Sequence, residues 1–354
     1  MSEQYDWSSG AAHVAEFPRY TVFPPASVPS GATMLTMARR SGRLSLSELE
    51  KRYASADAPV SPQALQKLRR DPRLGAQRLY RRLKKKAESE RTEHDRLEAM
   101  LHFERLLWRA GIERIAGVDE VGVGPMAGPV VAAAVVLRPG TWIDAVDDSK
   151  RLDPEQRAAL DQQIRAAATG VGIGVVEPEE IDRLNIYNAG IHAMWLAVDS
   201  LSVPPRHVLV DSRTIPDLPQ PQNSFYKGDG INFSIACASI VAKVYRDRLM
   251  EELDRKYPGY GFARHKGYCT SEHQRAVQRL GPSPIHRQSF DYIRELRGEY
   301  DPLFYDLKKQ VAQAATRDEL GRWEDRLKAS RHRLSPNETR KLHILAGRRW
   351  KRVD

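Results

Sequence analysis

The sequence predicts an α/β protein, and three observations carry that prediction. Short apolar or β-branched runs at 115–118, 130–137, 171–176 and 207–210 are bounded by turn residues, as buried strands are. Stretches of helical period occupy 153–168, 178–201 and 234–257, the last carrying Ile235, Ala238, Val241, Val244, Tyr245 and Leu249 at steps of three and four. The two patterns alternate along the chain, which is how a sheet covered by helices reads in sequence.

Taken in order, residues 1–40 mix Pro, Ser, Gly and scattered aromatics without period and read as disorder. They belong to a mostly disordered tail, 1–58, with one short helix, because Ser45-Leu46-Ser47-Glu48-Leu49-Glu50 offers an N-cap and an acidic first turn. Pro59-Val60-Ser61-Pro62 separates this helix from a basic helical extension over 59–110, where Leu65, Leu68, Leu79, Leu83, Leu97, Leu101 and Leu107 recur among basic residues. That extension reads either as a positively charged arm for nucleic acid or as a solvated amphipathic hairpin leaning on the core. The central domain runs over 111–292. A basic, Trp-spiked helical extension follows at 293–354, with breaks expected at Gly321 and Pro336, and it suits a duplex clamp or a partner-binding tail equally well. No internal repeat is present.

Composition narrows the partners. A chain of 354 residues with 41% apolar residues can bury one sizeable core and still carry extensions. The formal charge of +10, from 56 basic against 46 acidic residues, favours a polyanion, nucleic acid first. Cys237 and Cys269 are too few for a disulfide scaffold and badly spaced for zinc, so a reducing compartment, the cytoplasm, is expected. Neither a long apolar run nor a leader-like start is present, which argues against membrane insertion and secretion. A monomer is the default expectation.

The chemistry concentrates at Gly117-Val118-Asp119-Glu120-Val121-Gly122-Val123-Gly124-Pro125. Two adjacent carboxylates stand where a strand is expected to end and a glycine-hinged turn to begin, so acids and bare backbone amides face one ligand. Hydrolysis of a phosphodiester with hard cations needs several carboxylate oxygens converging on one place. Asp211, directly after the strand at 207–210, opens onto the crevice where α/β sheets bind ligands, although an Asp before Ser212 is also an ordinary turn starter. Asp229, in Tyr226-Lys227-Gly228-Asp229-Gly230, is a third position, unremarkable by itself. Asp247 lies among opposite charges in Tyr245-Arg246-Asp247-Arg248 and reads as a helical ion pair rather than a metal ligand.

As a set these residues resemble the type 2 ribonucleases H, above all bacterial ribonuclease HII. The resemblance rests on Gly117-Val118-Asp119-Glu120-Val121-Gly122, Pro125-Met126-Ala127-Gly128-Pro129, Asp148-Ser149-Lys150-Arg151-Leu152, Val208-Leu209-Val210-Asp211, Lys227-Gly228-Asp229, the helix from Ser234 to Asp247, His265-Lys266-Gly267-Tyr268 and Gly281-Pro282-Ser283-Pro284-Ile285-His286-Arg287, all in the family's order. It covers about 110–290, the basic helices before Gly111 resemble the amino-terminal extension of some members, and residues from about 293 lie outside it. It implies a ribonuclease H-like mixed sheet flanked by helices, with 111–292 as the catalytic domain. It further implies an endoribonuclease that cuts the RNA strand of an RNA/DNA hybrid, or incises duplex DNA at an embedded ribonucleotide, leaving 5′-phosphate and 3′-hydroxyl ends. The family's four acidic ligands fall on Asp119, Glu120, Asp211 and Asp229, with two Mg²⁺ or Mn²⁺ ions implied. Tyr268, on its own a half-buried aromatic in a turn, matches the tyrosine that packs against a sugar beside the ribonucleotide. Lys150, Lys227, Lys243, His265 and Lys266 are candidate phosphate contacts or plain solvated surface.

One departure stands out. Where the family typically has Gly-Arg-Gly to read the ribose 2′-hydroxyl, this chain has Gly122-Val123-Gly124. Valine keeps the backbone and removes a guanidinium, a substitution that also resembles ribonuclease HIII, which cuts within longer RNA with little junction preference. A non-catalytic nucleic-acid binder on the same fold is the competing class, disfavoured because carboxylates facing phosphate cost affinity unless cations lie between them. A phosphate loop is discarded, since no Gly-Lys-Ser/Thr ending follows.

Overall fold

The computed structural model describes residues 44–53 and 60–353, so the disorder expected over 1–40 and the break at Pro59 lie outside the described residues. In chain order the elements are α1 (Leu46–Tyr53), α2 (Pro62–Arg70), α3 (Leu74–Met100), α4 (His102–Arg109), β1 (Ile115–Val121), β2 (Val130–Leu137), α5 (Pro154–Ala167), β3 (Ala168–Val176), α6 (Pro178–Leu184), α7 (Ile186–Asp199), β4 (His207–Asp211), β5 (Gln222–Phe225), α8 (Phe233–Lys256), α9 (Phe262–His265), α10 (Ser271–Leu280), α11 (Asp291–Leu296), α12 (Pro302–Gln313), α13 (Arg317–Ser330) and α14 (Pro336–Trp350). The chain divides after Leu79 into two units. In the first, Ser61 caps α2 through Ala64 N–H with Pro62 at its first position, and the Gln77 amide donates to the Asp71 and Arg69 carbonyls (2.6 and 3.0 Å), closing the other end. Leu49, Ala64 and Leu68 are its buried apolar residues on α1 and α2.

The second unit is built on a five-stranded sheet in the order β3-β2-β1-β4-β5. β1, β2 and β3 are antiparallel neighbours, whereas β4 and β5 run parallel to β1, giving the mixed sheet expected. Register assigns the faces. Gly117 pairs with Val135 and Asp119 with Ala133, so these residues share one face; Glu120 pairs with Ala132, and Ala132 with Gly174, so these share the other. α8 covers the first face and α7 the second. Both approach so closely that only glycine fits beneath them. A Cβ on Gly117 would stand 2.1 Å from the Ser234 carbonyl carbon, and one on Gly172 or Gly174 would stand 2.0 Å from the Ala197 or Ala193 carbonyl oxygen of α7. The core between sheet and α8 joins Ala133, Val135 and Leu137 to Phe233, Cys237, Ile240 and Val241, with Leu97 and Leu101 sealing it from the helical extension. Cys237 is thus a core thiol and pairs with no other cysteine.

Four expectations need correction. β1 runs on to Val121 because β2 supplies ladder partners as far as Val131, so the acidic pair lies inside the strand rather than after it. The helix expected over 178–201 is two helices, broken at Asn185 (φ 65°), whose side chain accepts the Tyr187 and Asn188 N–H groups and starts α7 afresh. β5 is not among the strands the sequence predicts, since Gln222–Phe225 has no apolar run; it is an edge strand held by its parallel pairing to β4. Gly321 does not break a helix: a Thr316–Glu319 capping box starts α13 upstream, and one interior glycine costs only about 1 kcal/mol. Pro336 does mark a boundary, as the first residue of α14.

The start of α8 is held by an unusual group. Glu104 of α4 is fully buried, and its carboxylate accepts the Ser234 N–H at 2.8 Å and the Asn232 side-chain amide at 3.2 Å. Burial raises its pKa, and the bonds from Ser234 and Asn232 oppose that rise. Asn232 in turn caps α8 through the Ile235 N–H at 3.0 Å. Glu104→Ala leaves two buried donors unpaired, and urea denaturation is expected to show a loss of about 2–4 kcal/mol, with Glu104→Gln in between because one of its two amide atoms faces a donor with a donor. Unchanged stability in the alanine variant would refute this anchoring role.

Candidate active site

Asp119 and Asp211 stand side by side because β1 and β4 are parallel and Val118 pairs with Val210 one step earlier. Glu120 projects from the opposite face of β1, toward Gly190 of α7, where a Cβ would come within 4.0 Å of its Cγ. Even so, one carboxylate oxygen from each of Asp119, Glu120 and Asp211 lies within 4.8 Å of the others. Asp211 is oriented by the Gly228 N–H at 2.5 Å and the Ser212 hydroxyl at 2.8 Å, and Asp119 by the Glu120 N–H at 2.8 Å. Glu120 Oε2 is buried with no hydrogen-bond partner.

Such a cluster is electrostatically unfavourable as it stands. Burial, then the charges of Glu120 and Asp211, with a smaller one from Asp229, push the Asp119 carboxyl well above the usual carboxylate range. Glu120 is raised by burial and by Asp211, partly relieved by Arg213 and Lys150. Hard oxygen donors, mutual repulsion and an orphaned buried oxygen together suit a divalent cation. Asp229 stands apart from the trio, on the Gly228–Gly230 turn, where its Oδ2 accepts from Lys150 Nζ at 2.9 Å. Burial opposes the Lys150 charge, but the bond to Asp229 and the fields of Asp229, Asp148 and Asp119 more than compensate, so its pKa is raised.

The Gly122–Gly124 loop follows directly, held by two arginines buried to 1% and 2% exposure. Arg287 donates to the carbonyls of Gly122 (2.5 Å), Val123 (3.0 Å), Pro125 (2.7 Å) and Gly128 (2.8 and 3.0 Å). Arg246 donates to Pro129 (2.9 Å) and Lys266 (3.0 Å). Burial pushes the two guanidinium pKa values down, to about 9 and about 10 respectively. With its carbonyls turned inward to these cations, the loop exposes the Val123 side chain and lies against Tyr268, whose ring edge would be 3.4 Å from a Cβ on Gly124. Gly122 has φ 92° and no room for a side chain beside Arg246.

Residues 116–293 match the family model described as Ribonuclease HII, and residues 45–108 match its Ribonuclease HII N-terminal domain. The ribonuclease HII of Myxococcus xanthus is 50% identical over 72% of this chain and 87% of its own length, and that of Geobacillus kaustophilus 51% over 65% and 88%. The chain belongs to the ribonuclease HII family. It is therefore an endoribonuclease of the type 2 ribonuclease H class, a phosphodiester hydrolase. Among solved structures, the ribonuclease H2 of Pyrococcus horikoshii OT3 is 26% identical, covering 52% of this chain and 98% of its own, with a TM-score of 0.44. No helix among the described residues is long and apolar enough to cross a membrane.

Within this ribonuclease HII fold, three of the five candidate phosphate contacts are committed elsewhere. His265 is buried, its Nδ1 accepting the Gly267 N–H and its Nε2 donating to the Tyr260 carbonyl at 2.8 Å, because the tight 261–268 turn needs those partners. Lys243 pairs with Asp247 at 2.6 Å, which also makes Asp247 the helical ion-pair partner expected, and Lys266 pairs with Glu251 at 2.7 Å. Lys150 stays at the carboxylates, and Lys227, in left-handed backbone (φ 56°), reaches over the exposed Tyr226 ring. Tyr268 is 47% exposed, so about half of it is buried, as the sequence suggests. A histidine relay fixes its backbone. The Ser283 N–H donates to His286 Nδ1 (2.9 Å), so His286 Nε2–H donates to His273 Nε2 (3.0 Å), leaving His273 Nδ1–H for the Tyr268 carbonyl (2.9 Å). Burial holds both rings neutral, with pKa values of about 4 and about 3. Arg213, whose guanidinium lies 4.4 Å over the Tyr187 ring beside Glu120, is a further flanking residue that spacing alone does not single out.

Proposed function

We propose that this enzyme hydrolyses the RNA strand of RNA/DNA hybrids and incises duplex DNA on the 5′ side of embedded ribonucleotides, with Asp119, Glu120, Asp211 and Asp229 holding two Mg²⁺ or Mn²⁺ ions. The observation that carries this reading is the convergence of three carboxylates from the ends of two parallel strands, with Asp229 beside them under Lys150. Divalent ions there would supply charge neutralisation at the scissile phosphate and an activated water. The chain's own part is to hold them: Gly228 and Ser212 fix the angle of Asp211, while Glu120 Oε2, unbonded otherwise, is free to ligate. Lys150 shares Asp229 and lies where a phosphate oxygen can replace that partner. Gly122, Val123 and Gly124 would present backbone N–H groups to the ribose, and Tyr268 a ring face to the adjoining sugar.

The test is a gel assay on a continuous hybrid, a one-ribonucleotide duplex and all-DNA duplex, with Mg²⁺ or Mn²⁺ and with chelator. Cutting of both ribose-containing substrates to 5′-phosphate ends, and none of DNA, is expected; cutting of none would sink the reading. Val123 refines it. Its side chain is exposed on the loop and offers no donor to phosphate, so incision at a single ribonucleotide should be weak relative to hybrid cleavage, toward the ribonuclease HIII pattern. Val123→Arg should raise single-ribonucleotide kcat/KM roughly tenfold, since a charged hydrogen bond to phosphate contributes about 1.5–3 kcal/mol and part of that is offset by ordering the side chain. An equal preference for both substrates in the parent enzyme would refute the role given to Val123.

A further inference from the structure

Residues beyond the family match form a three-helix module with its own core, in which Phe304, Leu307, Leu320, Trp323, Leu327 and Leu342 are buried together. It is tied to α11 by Lys341, which reaches Glu295 at 3.2 Å, and by Asn337, which donates to Asp291 at 2.6 Å. Its charges are sorted rather than mixed. Asp301 pairs with Arg333 (3.1 Å), Asp306 with Arg326 (2.6 Å) and Glu299 with Arg297 (3.1 Å), while Glu319 and Glu338 serve as helix caps and Glu324 accepts from the Trp350 ring (3.1 Å). Of the cations left over among the described residues, Lys309, Arg317 and Arg322 lie on α12 and α13, while Arg331, Arg340, Arg348 and Arg352 lie on or beside α14.

α14 buries Thr339, Leu342 and Ala346 and is flanked by two grooves. One, of about 430 Å³, is lined by Arg331, Arg340 and His343 around Pro336 and Ile344; the other, of about 320 Å³, by Lys308, Arg348, Arg349 and Arg352 around Val311 and Leu345. No carboxylate lines either groove. Among the described residues, Arg331, Arg340, Arg348 and Arg352 have no ion-pair partner. Helix stabilisation accounts for only part of this arrangement. Arg348 and Arg349 sit in the last turn of α14 and Arg331 caps the C-terminus of α13, where the dipole favours cations, but Arg340, in the second turn of α14, gains nothing from it.

We propose that the two grooves flanking α14 form a second nucleic-acid surface that takes the sugar–phosphate backbone of the duplex arm outside the cleaved segment. Guanidinium groups supply paired donors to phosphate oxygens, and the apolar floors match the sugars between them. The absence of acids suits a polyanion whose own counterions are released on binding. This rests on the reading of the enzyme as acting on a nucleic-acid duplex, and its test is kept separate from cleavage.

Full-length protein with Arg348→Gln/Arg352→Gln, and separately Arg331→Gln/Arg340→Gln, is titrated by fluorescence anisotropy onto a duplex of roughly 30 base pairs with a central hybrid segment, in chelator, over a range of salt. All four side chains lie outside the module's core, so melting temperatures should match the parent and serve as the folding control. Each double variant is expected to flatten the dependence of log K on log salt by about 2, close to 0.9 for every phosphate no longer neutralised, while kcat on a short hybrid at saturation stays unchanged. An unchanged slope in both variants overturns the proposal, and would leave an acidic protein partner as the occupant. A parent that binds with the steeper slope but cuts no ribose-containing duplex would instead overturn the proposed function and leave this surface standing.

Discussion

Asp119→Asn is expected to abolish cleavage while making the cation-free protein more stable. The amide cannot supply the anionic oxygen on which the carboxylate cluster depends, and removing one preorganised electrostatic interaction at a reacting phosphate lowers the rate by about a thousandfold or more. Stability moves the other way because Asp119 is buried beside Glu120 and Asp211, and burial together with those two charges holds its pKa well above the usual carboxylate range. With a folded pKa above the unfolded one, the native state holds the extra proton through the window between them. The cation-free protein therefore loses stability as pH rises through that window, and the loss is complete above the folded pKa. Asp119→Asn should flatten the fall of melting temperature between mildly acidic and mildly alkaline pH, and saturating Mg²⁺ should flatten it in the parent alone. Retained activity, or a variant that melts lower than the parent at alkaline pH without metal, would refute the assignment.

The same residues show how far a reading of the sequence reaches. Asp119, Glu120 and Asp211 are legible because strand ends and turn glycines are local patterns, and register then brings two parallel strand ends together. Asp229 is legible only through family motif order, and it sits beside the trio rather than within it. What cannot be read is burial. Arg246 lies in a run of charges that looks wet, yet α8 turns it under the 122–129 loop, and nothing in the spacing separates it from its exposed neighbour Arg248. His265 reads as a phosphate contact for the same reason: a tight turn consumes its ring nitrogens, and that demand is three-dimensional. β5 is invisible to composition because an edge strand is defined by its partner.

Gly117→Ala is the second large effect, and it acts on the fold and the site together. The added methyl would meet Ser234 carbonyl carbon and oxygen at 2.1 and 2.2 Å and the Ile235 nitrogen at 2.6 Å, all of them backbone atoms with no rotamer to yield. Relief requires α8 to move away from β1. Ordinary overpacking costs about 1–3 kcal/mol where side chains can give way, so a backbone-on-backbone clash should exceed that, at about 4 kcal/mol. For a domain of this size that corresponds to a melting temperature lower by roughly 8–16 °C. The displacement also shifts Ser239 of α8 and the Asn232 cap away from Asp119 and the Asp229 turn, because Asp119 lies two residues along the same face of β1. Cleavage at a temperature where the variant is fully folded should therefore fall with a raised requirement for divalent ion, a shift that simple destabilisation would not produce. Gly170→Ala provides the contrast, since its Cβ would first meet only the flexible end of Leu201 at 3.3 Å. If Gly117→Ala melts and titrates with metal as Gly170→Ala does, the close seating of α8 on β1 is not what aligns the carboxylates.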